Sequence, residues 1–127
     1  MKLDLKELIA KLTSTPIVVE EGTSGIWKYR KWSNGTAECW GYYSKTVSIP
    51  AGGHVAVNPP ALPSIFNDLP VVETSGGGTA NPSIFTTYCK SYISGANYGV
   101  DVYLRNQGGS AFNDTGWVYI TAKGTWK

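Results

Sequence analysis

The stretch IWKYRKWSNGTAECWGYY, residues 26–43, decides the fold class of this chain. Two runs rich in Trp and Tyr flank Asn34-Gly35, and an Asn-Gly pair between such runs favours a β-hairpin with a two-residue type I′ turn. In that register Trp32 pairs with Ala37, and one face of the hairpin carries aromatic cross-strand pairs. The residues expected on this face are Trp27, Tyr29, Lys31, Glu38, Trp40 and Tyr42. We interpret its four rings as core or subunit contact, with a stacking platform for a ligand as the alternative.

The composition around this hairpin favours many short strands. Charged residues make up 16% of the chain, below the roughly 25% of ordinary soluble domains, and fifteen glycines and thirteen Tyr and Trp residues take their place. We therefore predict an all-β fold, a jelly-roll-like β-sandwich over residues 16–127, with a flexible loop at 74–81. The candidate strands are 17–20, 25–33, 36–43, 46–49, 53–57, 65–73, 83–90, 98–105 and 116–125.

The first twelve residues, MKLDLKELIAKL, have a different periodicity. Their apolar residues recur at spacings of three and four, which predicts an amphipathic helix that ends before Pro16. A helix this short is marginal in water, so its stripe either folds back onto its own domain or joins a parallel bundle of subunits. The polar break after the stripe favours the bundle. We thus assign residues 1–15 as an oligomerising helix of a trimer, through Leu5, Leu8, Ile9 and Leu12.

Several classes of partner are disfavoured by the same sequence. The net charge of +2 comes from dispersed residues, whereas nucleic-acid binding needs a concentrated basic face. No apolar run approaches the length of a membrane span, and the first residues do not form a signal peptide. Cys39 and Cys89 are expected to be buried free thiols, and with one His they offer no spacing for a metal site. No cofactor is expected.

Catalysis is disfavoured as well. A Ser or Cys nucleophile needs a base, and His54, which enters a predicted strand, is the single histidine. The glycine run 76–78 lacks the Lys-Ser/Thr that completes a phosphate-binding loop. No pattern selects a pair of carboxylates among the nine acidic residues, so a glycosidase remains a minor alternative. We expect that the protein is not an enzyme.

Two segments resemble a known family. Residues 22–41, GTSGIWKYRKWSNGTAECWG, and residues 120–127, ITAKGTWK, resemble segments of tail-associated structural proteins of phages and prophages of Gram-positive bacteria, and the leading leucine helix is similar too. The resemblance covers about a third of the chain. It implies the C-terminal head domain of a tail fibre or baseplate protein: trimeric, located in the virion, made in the bacterial cytoplasm without a signal peptide, and in contact with other tail proteins and the host surface.

Such heads often bind cell-wall saccharides, which gives the leading functional hypothesis. Sugar sites combine aromatic faces with a few polar groups, and the loops after residue 91 offer both. The candidate ligand-binding residues are Tyr92, Asn97, Tyr98, Asp101, Asn113 and Asp114. Asn and Asp beside Gly are also ordinary turn residues. The alternative function is a purely structural trimerisation or capping domain.

Overall fold

The computed structural model describes residues 5, 15–79, 81–94 and 97–127. Every regular element from residue 15 onward in these ranges is a strand, which confirms the all-β class. The strands are β1 (Val18–Ser24), β2 (Trp27–Trp32), β3 (Thr36–Ile49), β4 (His54–Val57), β5 (Val71–Gly78), β6 (Asn81–Ser94), β7 (Asn97–Asn106) and β8 (Phe112–Thr125). The predicted segments 36–43 and 46–49 are one continuous strand, β3, and the segment 65–73 is irregular as far as Pro70.

The eight strands form one antiparallel sheet in the order β1-β2-β3-β8-β5-β6-β7-β4. Strand β8 lies between β3 and β5 and pairs with β3 along its whole length, from Thr36 opposite Thr125 to Ile49 opposite Phe112. The sequence predicts a β-sandwich of two sheets. The strand pairing shows one antiparallel sheet and does not confirm the sandwich.

The sheet folds over so that β7 covers β3 and β8. Val100, Val102 and Leu104 of β7 are buried in one cluster with Val118 and Ile120 of β8. At Gly116 the layers are so close that a Cβ atom would lie 2.7 Å from Leu104 Cδ1. One face of β3 and β8 therefore packs against β7 in the core, and their other face points outward.

The predicted hairpin is present, but its register is wrong by one residue. Lys31 pairs with Ala37 and Tyr29 with Cys39, so the loop has three residues, 33–35. Gly35, the last residue of this loop, adopts a positive φ of 93°, and its N–H donates to Trp32 O at 3.0 Å. A type I turn closed by a left-handed glycine is the usual three-residue hairpin loop.

The end of the chain holds this loop in place. Trp126 donates its backbone N–H to Gly35 O at 2.9 Å and its indole N–H to Trp32 O at 2.7 Å. The ammonium groups of Lys31 and Lys127 also lie over the Trp126 ring, 5.5 and 5.3 Å from its centroid. The three-residue loop is thus stabilised by contacts that are distant in sequence.

The one-residue difference moves half of the hairpin's side chains to the opposite face. Trp27 is 2% exposed and joins the core with Ala37 and Cys39, whereas Trp40 and Tyr42 point outward. The expected face that combined all four rings does not exist. Its interpretation as core holds for Trp27 and partly for Tyr29, which packs against the core.

The predicted loop at 74–81 is also wrong for most of its length. Residues 74–78 belong to β5, and the three glycines pair with Val118, Trp117 and Gly116. A Cβ at Gly76 would lie 2.4 Å from Trp117 O, and one at Gly78 would lie 2.6 Å from Phe112 Cζ. Glycine is needed here because neighbouring backbone and rings come too close for a side chain.

The predicted N-terminal helix lies outside the described residues except at Leu5, which is 72% exposed. Leu8, Ile9 and Leu12 are among the residues not described, so their proposed role in a trimer stays a prediction. No helix long and apolar enough to cross a membrane occurs in the part of the chain that the structure describes.

Candidate functional site

The outward face of five adjacent strands, β1, β2, β3, β8 and β5, carries the largest group of exposed rings and polar side chains. Along β8 the residues alternate: Val118, Ile120 and Ala122 are buried, whereas Tyr119 and Thr121 are exposed. Strand side chains point alternately to the two faces, so the outward residues of neighbouring strands stand side by side. They enclose a shallow groove.

The central part of this outer groove has a volume of about 420 Å³. Its walls are formed by the side chains of Ile26, Lys28, Trp40, Tyr42, Tyr119 and Thr121. Tyr42 and Tyr119 face each other across β3 and β8 with ring centroids 4.9 Å apart, and they are 46% and 54% exposed. Trp117 stands edge-on to Tyr119 at 5.6 Å. Large rings this exposed are available to a ligand.

Further depressions lie beside this central part. A depression of about 260 Å³ beyond Trp40 shares Lys28 with the central part and reaches Glu21 and Thr23 of β1. In the other direction, a depression of about 200 Å³ shares Tyr119 and Thr121 and reaches Glu73 and Ser75 of β5. A last one of about 110 Å³ lies between Glu73 and Lys123. The central depression and the one at Ser75 thus form one groove across the strands. The depressions at Glu21 and at Lys123 lie on the other side of Lys28, Trp40, Thr121 and Glu73.

The charges along the groove are partly neutralised. Arg30 pairs with Glu21 at 3.2 Å and lies over the Trp40 ring at 5.2 Å. Lys28 and Glu73, by contrast, form no ion pair within 4.0 Å with any residue of the described ranges. These two charges, and that of Lys123 beside Glu73, are thus available to a ligand.

Three other rings, those of Trp27, Tyr29 and Tyr92, have a structural task, because each covers a glycine on the neighbouring strand. A Cβ at Gly41 would lie 2.7 Å from Trp27, and one at Gly22 would lie 2.9 Å from the Tyr29 hydroxyl. Tyr92 covers Gly99 in the same way, at 2.4 Å. Aromatic rings stabilise strand glycines when they pack across them. These tyrosines and tryptophans are therefore parts of the sheet rather than free platforms.

The candidate residues of β6 and β7 lie together at one end of the sheet. Tyr92 pairs with Gly99 and Asp101 with Lys90. Asn97 accepts a hydrogen bond from Ser64, and Tyr98 is half-buried against the core, with its carbonyl accepting Leu62 N–H at 2.8 Å. Asn97 and Tyr98 thus hold the segment 61–65 in place. The ring of Tyr92 packs over Gly99.

Asn113 and Asp114 lie at the opposite end. Asn113 accepts a hydrogen bond from the Ser48 hydroxyl at 2.6 Å, and Asp114 accepts one from the Thr115 N–H at 2.7 Å. They adjoin Phe112, which packs beside Ile84, the partner of Asn106 at the end of β7. Tyr98 and Asn106 are eight residues apart on one strand, about 26 Å at 3.3 Å per residue. The structure therefore does not bring the six predicted residues into one site.

A second cleft lies between β1, β2 and the segment 63–65. It has a volume of about 330 Å³ and is lined mainly by polar groups, among them Ser24, Tyr29 and Ser64. Lys31 and Glu20, which are paired on β2 and β1 and line this cleft, form an ion pair at 3.4 Å. Partial burial, together with the charge and the hydrogen bond of Glu20, raises the pKa of Tyr29. The cleft carries no exposed ring face comparable with that of the outer groove.

Both cysteines are free thiols, as the sequence analysis expects, although Cys89 is half-buried rather than buried. Burial, opposed by a hydrogen bond from Ala122 and reinforced by the charge of Glu38, raises the pKa of Cys39 to about 12. Such a thiol is protonated at neutral pH and is a poor nucleophile. No cluster of three metal-ligating side chains occurs within the described ranges.

None of the six ligand-binding candidates from the sequence lines the outer groove; of its wall residues, only Trp40 and Tyr42 were considered for ligand contact, as part of the alternative stacking platform. A signal was present in the last predicted strand, where Trp117, Tyr119, Thr121 and Lys123 alternate with small aliphatic residues. Rings that share a face with threonine and lysine, opposite the aliphatic residues, are expected to point outward. The same alternation in β3 was hidden by the incorrect hairpin register.

Comparison with known proteins adds no relative to this description. No protein-family model, no curated protein and no solved structure matches the chain. The resemblance to phage tail proteins therefore stays a prediction.

Proposed function

We propose that this protein is a saccharide-binding domain and that the outer groove is its binding site. The observation that carries the proposal is the combination of exposed ring faces, Tyr42 and Tyr119, with charged and hydroxyl groups along one continuous groove. Sugars present apolar C–H faces to rings and hydroxyls to polar groups, and binding sites for such ligands are mostly apolar with a few polar anchors. Thr121, Ser75 and Glu73 supply these anchors beside Tyr119.

We further propose that the saccharide belongs to the cell wall of a Gram-positive bacterium and that the domain is a head of a phage tail fibre or baseplate. The support is that both segments that resemble tail proteins form one unit of the fold. The first contains β2 and the start of β3, the second contains the end of β8 beside them, and Trp126 of the second holds the hairpin loop of the first. The jelly-roll sandwich, the trimer and the virion location belong to the same proposal.

The structural alternative also has support in the outward face. Val71 is 72% exposed at its margin, and Tyr42 and Tyr119 are apolar surface that a second subunit would cover. Exposed apolar patches mark protein contacts as well as ligand grooves. The two functions differ in what Tyr119 touches: a sugar in one, another copy of the chain in the other.

A pull-down of the full chain on purified cell walls from a panel of Gram-positive bacteria tests the proposal. We expect that wild-type protein binds at least one wall and that Tyr119→Ala loses most of this binding. Tyr92→Ala is the matched control, because Tyr92 is exposed by 36% and belongs to the earlier candidate set at the far side of the fold. Circular dichroism checks that both variants fold.

Three outcomes are informative. Loss of binding in Tyr92→Ala alone would move the site to the end of β6 and β7. If Tyr119→Ala and Tyr92→Ala both fold and neither binds, the site must include both the outer groove and the end of β6 and β7. Failure of the wild-type protein to bind any wall, with a change in mass for Tyr119→Ala in light scattering, would replace the saccharide function by the structural one.

A further inference from the structure

The outer groove is bounded by two straight rows of residues that cross the strands. In the first row, Thr23 pairs with Lys28, Lys28 with Trp40, Trp40 with Thr121, and Thr121 with Glu73. In the second row, Tyr42 pairs with Tyr119 and Tyr119 with Ser75. Residues paired in register lie directly opposite one another, so each row is perpendicular to the strands. The groove between the rows runs in the same direction.

The length of the groove follows from the strand spacing. Lys28 on β2 and Glu73 on β5 are separated by three strand intervals, about 14 Å at 4.8 Å per interval. Thr23 of β1 continues the first row, but the depression beside it lies on the other side of that row, so the groove itself crosses these three intervals. A single sugar ring fills only the central part. The length instead suits a short run of linked sugars.

Two charged groups of the first row form no ion pair within the described residues, and they lie at the two ends of the groove. Lys28 closes the central part on the β2 side, and Glu73 lies beyond Thr121 on the β5 side. Between these ends, the rings of Trp40, Tyr42 and Tyr119 line the middle of the groove. A ligand that contacts both ends and the rings must therefore be extended and must lie across the strands.

We infer that the groove binds an internal stretch of a linear saccharide chain, laid across β2, β3, β8 and β5 from Lys28 to Glu73. This inference rests on the proposed function and adds the form of the ligand: a chain of several linked units rather than a single terminal sugar. The rings hold the middle units, and the two end residues hydrogen-bond hydroxyl or charged groups of the outer units. Affinity therefore rises with chain length until the groove is full.

Binding to saccharide fragments of graded length tests the inference. The probe is the material released by partial hydrolysis from a Gram-positive wall that the wild-type chain binds, separated by size and titrated by calorimetry. We expect that fragments long enough to span Lys28 and Glu73 bind at least tenfold more tightly than single sugars from the same wall. Equal affinity for single sugars and long fragments would overturn the inference and leave the saccharide function intact.

Variants at the ends and the middle of the groove sharpen the test. Glu73→Gln and Lys28→Gln should weaken the long fragments by a larger factor than the short ones, which flattens the dependence on length. Tyr119→Ala should weaken both classes. Asp114→Asn is the control for the carboxylate change, because Asp114 is exposed and lies outside the groove.

The remaining outcomes separate the inference from the function on which it rests. If Glu73→Gln weakens short and long fragments equally, the chain does not extend to that end, and the inference is overturned. If the wild-type protein binds no wall material, the proposed function itself fails. If Glu73→Gln or Lys28→Gln lowers the mass in light scattering, the two residues pair between copies of the chain, and the groove is a subunit contact.

Discussion

Replacing Trp27 and Trp40 separately by alanine tests which face of the hairpin is core. Trp27 is 2% exposed, packs on Gly41 and donates its indole N–H to Ala61 O at 2.8 Å. Removing a buried tryptophan costs about 3–5 kcal/mol, and the carbonyl left unpaired adds about 1 kcal/mol. Trp40 is half-buried on the outward face, and its contact with Arg30 is worth about 0.5–1 kcal/mol. We expect a loss of about 5 kcal/mol for Trp27→Ala and about 1 kcal/mol for Trp40→Ala.

Urea denaturation followed by far-ultraviolet circular dichroism measures both losses without relying on tryptophan fluorescence. With a slope of about 2 kcal/mol per molar urea, the midpoint should fall by about 2.5 M for Trp27→Ala and by about 0.5 M for Trp40→Ala. Trp27→Phe, which keeps a ring and loses the indole hydrogen bond, serves if the alanine variant does not fold. Equal losses at the two positions would refute the three-residue loop, because they would place both tryptophans on one buried face.

Three further predictions concern the glycine, the buried amide and the thiol. Gly41→Ala brings a Cβ to 2.7 Å from Trp27 and should cost about 1–3 kcal/mol, whereas Gly109→Ala, with nothing within 4 Å, should change stability by less than about 0.5 kcal/mol; equal melting temperatures would contradict this. Asn106 donates hydrogen bonds to Ile49 O and Ser110 O and accepts one from the Gly108 N–H. Asn106→Leu removes all three and should lower the free energy of unfolding, measured in urea, by about 3 kcal/mol. An unchanged urea midpoint would show that the three backbone groups find other partners. Because the pKa of Cys39 is raised to about 12, its thiol stays protonated in the folded chain after the unfolded chain has ionised, so its stabilising effect is present below the unfolded pKa and is lost as pH rises. The stability difference between wild type and Cys39→Ala should therefore shrink by about 1.5 kcal/mol between pH 8 and pH 10, and a difference that does not depend on pH would count against the raised value.

The fold class could be predicted because it depends on local signals that are strong in this sequence. Glycine-bounded runs of Tyr, Trp and Val identified most strands to within a few residues, including β4 at His54 and β7 at Asn97. The hairpin was found for the same reason. Its register could not be derived locally, since Asn34-Gly35 fits both a two-residue loop and a three-residue loop, and the decisive contacts come from Trp126.

The candidate site was harder to predict because it depends on pairings between distant strands. Trp40, Thr121 and Glu73 lie in one row only because β8 separates β3 from β5. The glycine run 76–78 has the composition of a loop, and only the packing of Phe112 and Trp117 against it explains why it is a strand. The predicted residues Asn97 and Asn113, in contrast, are local turn and strand-end residues at opposite ends of the sheet.

The position of β8 also has a consequence for how the chain reaches this structure. β8 follows the other seven strands in sequence, yet it joins β1, β2 and β3 to the rest of the sheet. Until its residues have left the ribosome, β3 and β5 are open edges, and the outer groove does not exist. Pairs as distant in sequence as Thr36 and Thr125 must then form late, which predicts slow folding. A nascent chain stopped before Phe112 should bind no ligand in the outer groove and should be prone to aggregate through its open strand edges.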